Sequence, residues 1–194
     1  MNTMIHCSDL SAKSAGLVEP SCKGAQMIYE LKCISIQGVT EAIAKAELYR
    51  SLSEPEEAES ICRDILAIEP QHQLALRLLG LALTDQFTGG SSDRDREAEQ
   101  SFQKLTDRYE RFYYAGIGSE RRAKAQLRTG QPPYTVLPLF EQAMRSFEEA
   151  ERIRPAGNDD AILRWNRCVR LLQTAGYAWE QELGPFDKHD APPT

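Results

Sequence analysis

Two stretches of this chain carry apolar residues at one and the same spacing: Ala58, Cys62, Ile65, Ile68 and Pro70, then Ala143, Phe147, Ala150, Ile153 and Pro155. Both read Ala-x3-(large apolar)-x2-(apolar)-x2-Ile-x-Pro. Steps of three and four residues place the apolar positions on one stripe of a helix. The closing proline has no N–H to donate and ends it. A helix-then-proline unit written twice implies a helical array, because one such helix cannot bury its stripe alone and needs a neighbour to cover it.

Covering helices are legible next to the first unit. Ala42, Ala46 and Tyr49 precede it at three- and four-residue steps, and Leu76, Leu79, Gly80 and Leu83 follow it. This resembles the tetratricopeptide repeat, with its 34-residue period and Trp-x2-Leu-Gly-x2-Tyr…Ala-x3-Phe…Pro pattern. Lys45 stands where that motif prefers Leu, and Leu76 where it prefers Trp. Ala98, Phe102 and Leu105 repeat the second-helix spacing but begin fifteen residues after Leu83, where the motif leaves nine, so about six residues are inserted. The insert, Thr88 to Asp93, is a Gly/Ser loop by composition. Tyr114-x2-Ile117-Gly118-x2-Arg121 reads as a third first helix and Trp165-x2-Cys168-Val169-x2-Leu172 as a fourth, so the resemblance covers Val39 to Ala175. Gly157 to Asn166 and Glu120 to Ala125 also look like stretches of small bacterial repeat proteins with no assigned activity.

The resemblance implies an all-α fold: a short right-handed α-solenoid of antiparallel helix pairs, about three units plus a closing helix pair. Residues 1–38 settle on no period and are expected to form a loosely held N-terminal extension. A start placed too early, with the protein beginning near Val39, is another account of them. Residues 39–184 form the array, and 185–194, after Gly184-Pro185, a flexible tail.

Local signals set the expected boundaries. Ser53 with Glu56 offers an N-cap and Pro55 suits the first turn, giving a helix from Glu54 to Ile68. The next should run from Gln71 to Phe87, and another from Asp93 to about Tyr109, with the following boundary near Glu110 to Phe112. Gly130-Gln131-Pro132-Pro133 is a stop. Thr135 and Asn158 are candidate caps for the two helices after it. Gly176 is a candidate end for the second of these, leaving Tyr177 to Leu183 as a short closing helix.

Composition narrows the function classes. At 41% hydrophobic and 27% charged, the chain has the makeup of an ordinary soluble globular protein. No stretch approaches the roughly 18 apolar residues of a membrane span. Met1 to Asp9 lacks a basic region followed by an apolar run, so no secretory signal is expected. Five cysteines without close-pair spacing fit reduced thiols in a cytoplasm. A net charge of −6 argues against nucleic acid as a partner.

Catalytic material is thin. His6 and His189 fall near the ends and His72 in an expected turn, while Cys62 and Cys168 occupy core spacings. Gly89-Gly90-Ser91-Ser92 lacks the Gly-Lys-Ser/Thr ending of a phosphate loop. The runs Glu54, Glu56, Glu57, Glu59 and Glu148, Glu149, Glu151 read as solvated helix faces. No catalytic residue, metal site or cofactor is expected, and the chain reads as a non-enzyme.

Basic residues are distributed less evenly. Arg111, Arg121, Arg122, Lys124 and Arg128 face Glu120 alone between Arg111 and Gly130, and Arg164, Arg167 and Arg170 follow at three-residue steps. In tetratricopeptide arrays the first helix of each pair lines a concave groove. Carried over by position, the resemblance implies groove residues Glu47 and Arg50, Arg77 and Asp85, Ser119 and Arg122, and Asn166 and Arg170. Each helix then offers one arginine. The Lys/Asn clamp of chaperone-tail receptors is matched by Asn166 alone, which argues against that role. Trp165 is expected in the core. The implied function is a scaffold or adaptor that holds a protein or peptide segment, an acidic one by charge, with no nucleic-acid or membrane partner. A self-association module, dimerising through an exposed end helix, is the alternative.

Overall fold

The computed structural model describes residues 29–90 and 93–183, and the chain divides into two units at Lys32. Of the first unit only residues 29–32 are described, and they have no regular structure. In the second unit a 3₁₀ turn, Ile36–Gly38, leads into α1 (Val39–Ser51), α2 (Pro55–Ile68), α3 (Gln73–Asp85), α4 (Asp93–Gln103), α5 (Arg108–Arg128), α6 (Pro133–Arg152) and α7 (Asp160–Leu183). No strand occurs among the described residues. Every helix packs on the next, and α3 also touches both α1 and α5. Helices α1, α3 and α5 therefore lie side by side with α2 and α4 packed between consecutive members, and α7 packs on α6 and reaches α5 through Arg164 and Glu120, an α-solenoid-like arrangement.

The twin units are buried where their spacing requires it. Ala58, Cys62 and Ile65 are fully buried, as are Ala143, Phe147 and Ala150, whereas Ile153 lies on the surface. Between paired helices the contact is a ring on a glycine. A Cβ built on Gly80 would sit 2.3 Å from the Phe102 ring, and one on Gly116 2.5 Å from the Phe147 ring. Gly116, not Gly118, is thus the counterpart of Gly80. Gly118 would place its Cβ 3.7 Å from Phe102, an ordinary contact. The motif spacing assigned to α5 from sequence is two residues too late.

Other boundaries differ for local reasons. Helix α2 is capped by Glu54 without a side-chain hydrogen bond, and Ser53 adopts φ 63°, so the Ser53 cap does not form. Helix α4 stops at Gln103, because Asp107 accepts from the Glu110 amide at 2.9 Å and starts α5 there. Thr135 lies inside α6, which begins on Pro133, while Asn158 accepts from the Asp160 amide at 3.0 Å as expected. Helix α7 continues through Gly176 to Leu183, so the closing pair is a single helix. One glycine costs a helix about 1 kcal/mol relative to alanine, which weakens it without ending it.

At the N-terminal edge, Ile34 packs against the core and Ser35 Oγ accepts from the Gly38 amide at 3.2 Å. The array therefore begins before Val39. The expectations for residues 1–28 and for the tail 185–194 lie outside the described residues. Where the insert is described, Gly89 (φ 92°) rests against the Ala125 carbonyl and Thr129 Oγ1, too close for any Cβ. The insert is seated on the C-terminal turn of α5.

Candidate functional site

The odd-numbered helices share one face, and its charged side chains are joined across the helices. Arg50 of α1 donates from Nε to Asp85 Oδ2 of α3 at 2.7 Å, and Arg121 of α5 donates from Nη1 to Asp85 Oδ1 at 2.5 Å. The same Nη1 reaches Thr84 Oγ1 at 2.6 Å and the Leu81 carbonyl at 3.2 Å. One carboxylate at the C-terminal end of α3 thus holds three helices together. Arg77 of α3 pairs with Glu110 of α5 at 2.9 Å.

A second anion is more deeply set. Glu120 is fully buried and accepts from Lys124 Nζ, one turn along α5, and from Arg164 Nη1 of α7 at 3.4 Å. Burial pulls the Arg164 guanidinium toward the neutral form, but a hydrogen bond with Tyr113 and the charge of Glu120 outweigh it and leave its pKa raised. For Arg121 burial prevails over the Asp85 charge, and its pKa is lowered. Both stay cationic near neutral pH, since arginine starts from above 12.

The residues expected in one groove fall into separate places. Glu47, Arg50 and Asp85 line a common cleft with Ser51, Ser53 and Pro55. Arg77 is engaged by Glu110. Ser119 and Arg122 face elsewhere, into a cleft with Phe87, Asp95, Phe102 and Leu139, where Arg122 Nε lies 3.5 Å from Asp95. The register shift of α5 explains this, because successive helical residues point about 100° apart. Asn166 is half-buried, and Arg170 is exposed with no ion pair among the described residues. Trp165 is partly buried against the core.

What the spacing missed is a cleft bounded by α3, α5 and α7 and lined by Thr84, Asp85, Arg121, Lys124, Arg128 and Arg164. Four cations meet there over two carboxylates, Asp85 on the wall and Glu120 beneath. The signal available beforehand was Glu120, a single acid embedded in a basic stretch.

Elsewhere the reactive groups are quiet. Burial, with the charge of Glu59, pushes the Cys62 thiol up to about 12, and burial with Glu120 does the same to Cys168. His72 accepts from the Ala75 amide at 3.2 Å and so caps α3. Among the described residues no three His, Cys, Asp or Glu side chains are grouped to hold a metal ion, and no helix is long and apolar enough to cross a membrane.

The site and the fold together define the class: an all-α array of consecutively packed helices with an ion-paired face on its odd-numbered members. No protein-family model matches the chain, and no curated protein matches it.

Proposed function

We propose that this chain is a tetratricopeptide-like adaptor, non-enzymatic, that captures an acidic segment of a partner protein on the face made by α1, α3, α5 and α7. One observation carries the reading: the cations on that face are not used evenly. Arg50 and Arg77 are met by Asp85 and Glu110 of the same chain. The α3, α5 and α7 cleft keeps an excess, in a chain whose net charge is −6. A partner carboxylate there gains charge-assisted hydrogen bonds, each worth about 1.5–3 kcal/mol when sheltered and much less when exposed. A cytoplasmic setting goes with this reading, supported by cysteines that are odd in number and not closely paired in sequence.

The test is recovery of partners from the native cell extract with the wild type and two charge-reversed variants. Arg128→Glu with Arg170→Glu alters exposed cations that have no ion pair among the described residues, and should weaken capture at least tenfold with helix content unchanged. Arg145→Glu with Arg152→Glu, on α6, should do little. Equal losses from both would mean nonspecific attraction and sink the proposal. A second reading, self-association, is favoured by the exposure of Ile36, Leu48 and Leu52 about α1. Mass in solution decides it, since a monomer across the micromolar range rules it out.

A further inference from the structure

Arg121, Lys124 and Arg128 line the cleft at positions i, i+3 and i+7 of α5, which sets them in one stripe with rises of about 4.5 and 6 Å. Arg164 of α7 stands beside the stripe, tied to it through Glu120. Most of this donor capacity is unspent. Arg121 commits only Nη1, Lys124 makes one bond, and Arg128 has no ion pair among the described residues. A ligand carrying carboxylates at the same intervals would meet one cation with each.

The walls of the cleft also bear on the backbone of that ligand. An extended peptide brings unpaired amide and carbonyl groups, which must find partners when they leave water. Among the residues lining this cleft only Thr84 can both donate and accept, and its hydroxyl already donates to the Leu81 carbonyl at 2.8 Å and accepts from Arg121 at 2.6 Å. The helices that form it satisfy their own backbone and present no sheet edge. A helix arrives with its backbone already bonded, and carboxylates at steps of three and four residues repeat at the intervals of the α5 stripe.

Resting on the proposed capture of acidic segments, we infer that the segment is an amphipathic helix whose acidic stripe, at steps of three and four residues, lies along α5 against Arg121, Lys124 and Arg128, with Arg164 at its flank. Three synthetic peptides of equal charge test this against the full chain by fluorescence anisotropy at moderate salt. One is an alanine-rich helix with three glutamates at i, i+3 and i+7. The second has the same composition with the glutamates spread around the helix, and the third carries them on a proline-interrupted, non-helical backbone.

The striped peptide should bind at least tenfold tighter than either of the others, and Arg128→Glu should reduce it to their level. Equal binding by all three would overturn the helical stripe while leaving acidic capture in place. Tighter binding by the proline peptide would overturn it in favour of an extended occupant. Absence of binding by all three would overturn both this inference and the function it rests on.

Discussion

Two glycines, two residues apart in α5, should respond in opposite directions to the same substitution. In a helix interior, Gly→Ala gains about 1 kcal/mol from lost backbone freedom in the unfolded chain, provided the new methyl has room. At Gly118 it has room, since the nearest atom would be 3.7 Å away. At Gly116 the methyl would stand 2.5 Å from Phe147 Cε1 and 2.7 Å from Cδ1. That ring cannot swing aside into water, because Phe147 is 1% exposed and Tyr113 lies against it at 6.0 Å between centroids. Overpacking of this kind costs about 1–3 kcal/mol, and so severe an approach belongs at the upper end. Gly118→Ala should therefore stabilise the fold by up to about 1 kcal/mol, and Gly116→Ala should lie below it by about 1–3 kcal/mol. For a chain of this size the gap corresponds to roughly 2–12 °C in Tm. Urea and thermal unfolding followed by far-ultraviolet circular dichroism measure both. Shrinking the ring with Phe147→Leu should abolish the Gly116→Ala penalty, a coupling that a double-mutant cycle reads directly. If Gly116→Ala proved as stable as Gly118→Ala, the assignment of Gly116 as the partner of Phe147 would fail.

Two further predictions follow from burial. Phe147→Ala should cost about 3–5 kcal/mol, a large share of the roughly 5–15 kcal/mol a domain has, and a loss below about 1 kcal/mol in urea titration would contradict the packing described. Cys62 and Cys168 should make stability fall in alkali: unfolded thiols release protons near pH 8.5–9, whereas burial holds the folded ones until about 12. The unfolded state then binds fewer protons above about pH 9, so stability declines by at most about 1.4 kcal/mol per pH unit for each thiol. Denaturation at pH 8 and pH 10 should show this decline, and a smaller one with Cys62→Ala and Cys168→Ala together; no difference between the pH values would refute it.

The helix stripes were legible in sequence because they are local. Three- and four-residue steps at Ala58, Cys62 and Ile65, and again at Ala143, Phe147 and Ala150, require nothing more than the helical period, and all six residues are buried. Registers between helices are another matter. Tyr114-x2-Ile117-Gly118 matches a motif letter by letter, yet what a glycine does in α5 is decided by which one faces a ring thirty-one residues on at Phe147. The same holds at helix ends. Asp107 caps α5 by accepting from the Glu110 amide and so moves the boundary three residues ahead of the one expected near Glu110, whereas the Ser53 signal loses to a left-handed turn. The candidate site was legible as a basic region but not as a site. Arg121 and Arg122 are neighbours in sequence and face different clefts, and the two-residue register error puts Arg122 at the groove position that belongs to Glu120.

Glu120 joins stability to capture, and the two should move in opposite directions when it is neutralised. Its carboxylate is fully buried and holds Lys124 and Arg164, whose side chains are 29% and 35% exposed. Removing one partner of a fully buried pair costs about 3–5 kcal/mol, but these cations keep access to water, so Glu120→Gln should cost less, about 1–3 kcal/mol. Because Arg164 is an anchor of α7 on α5, the loss should appear as faster amide exchange in α7. At the same time one negative charge disappears from beneath the cleft, leaving four cations over Asp85 alone and freeing the donors of Lys124 and Arg164. An acidic peptide should then bind more tightly, with a steeper salt dependence, to a protein that unfolds more easily. Charged groups held in a binding face at the expense of stability are the usual form of this trade. If Glu120→Gln weakened acidic-peptide binding in step with its loss of stability, Glu120 would be a positioning group for the cleft, and the excess of positive charge would not be what draws the ligand.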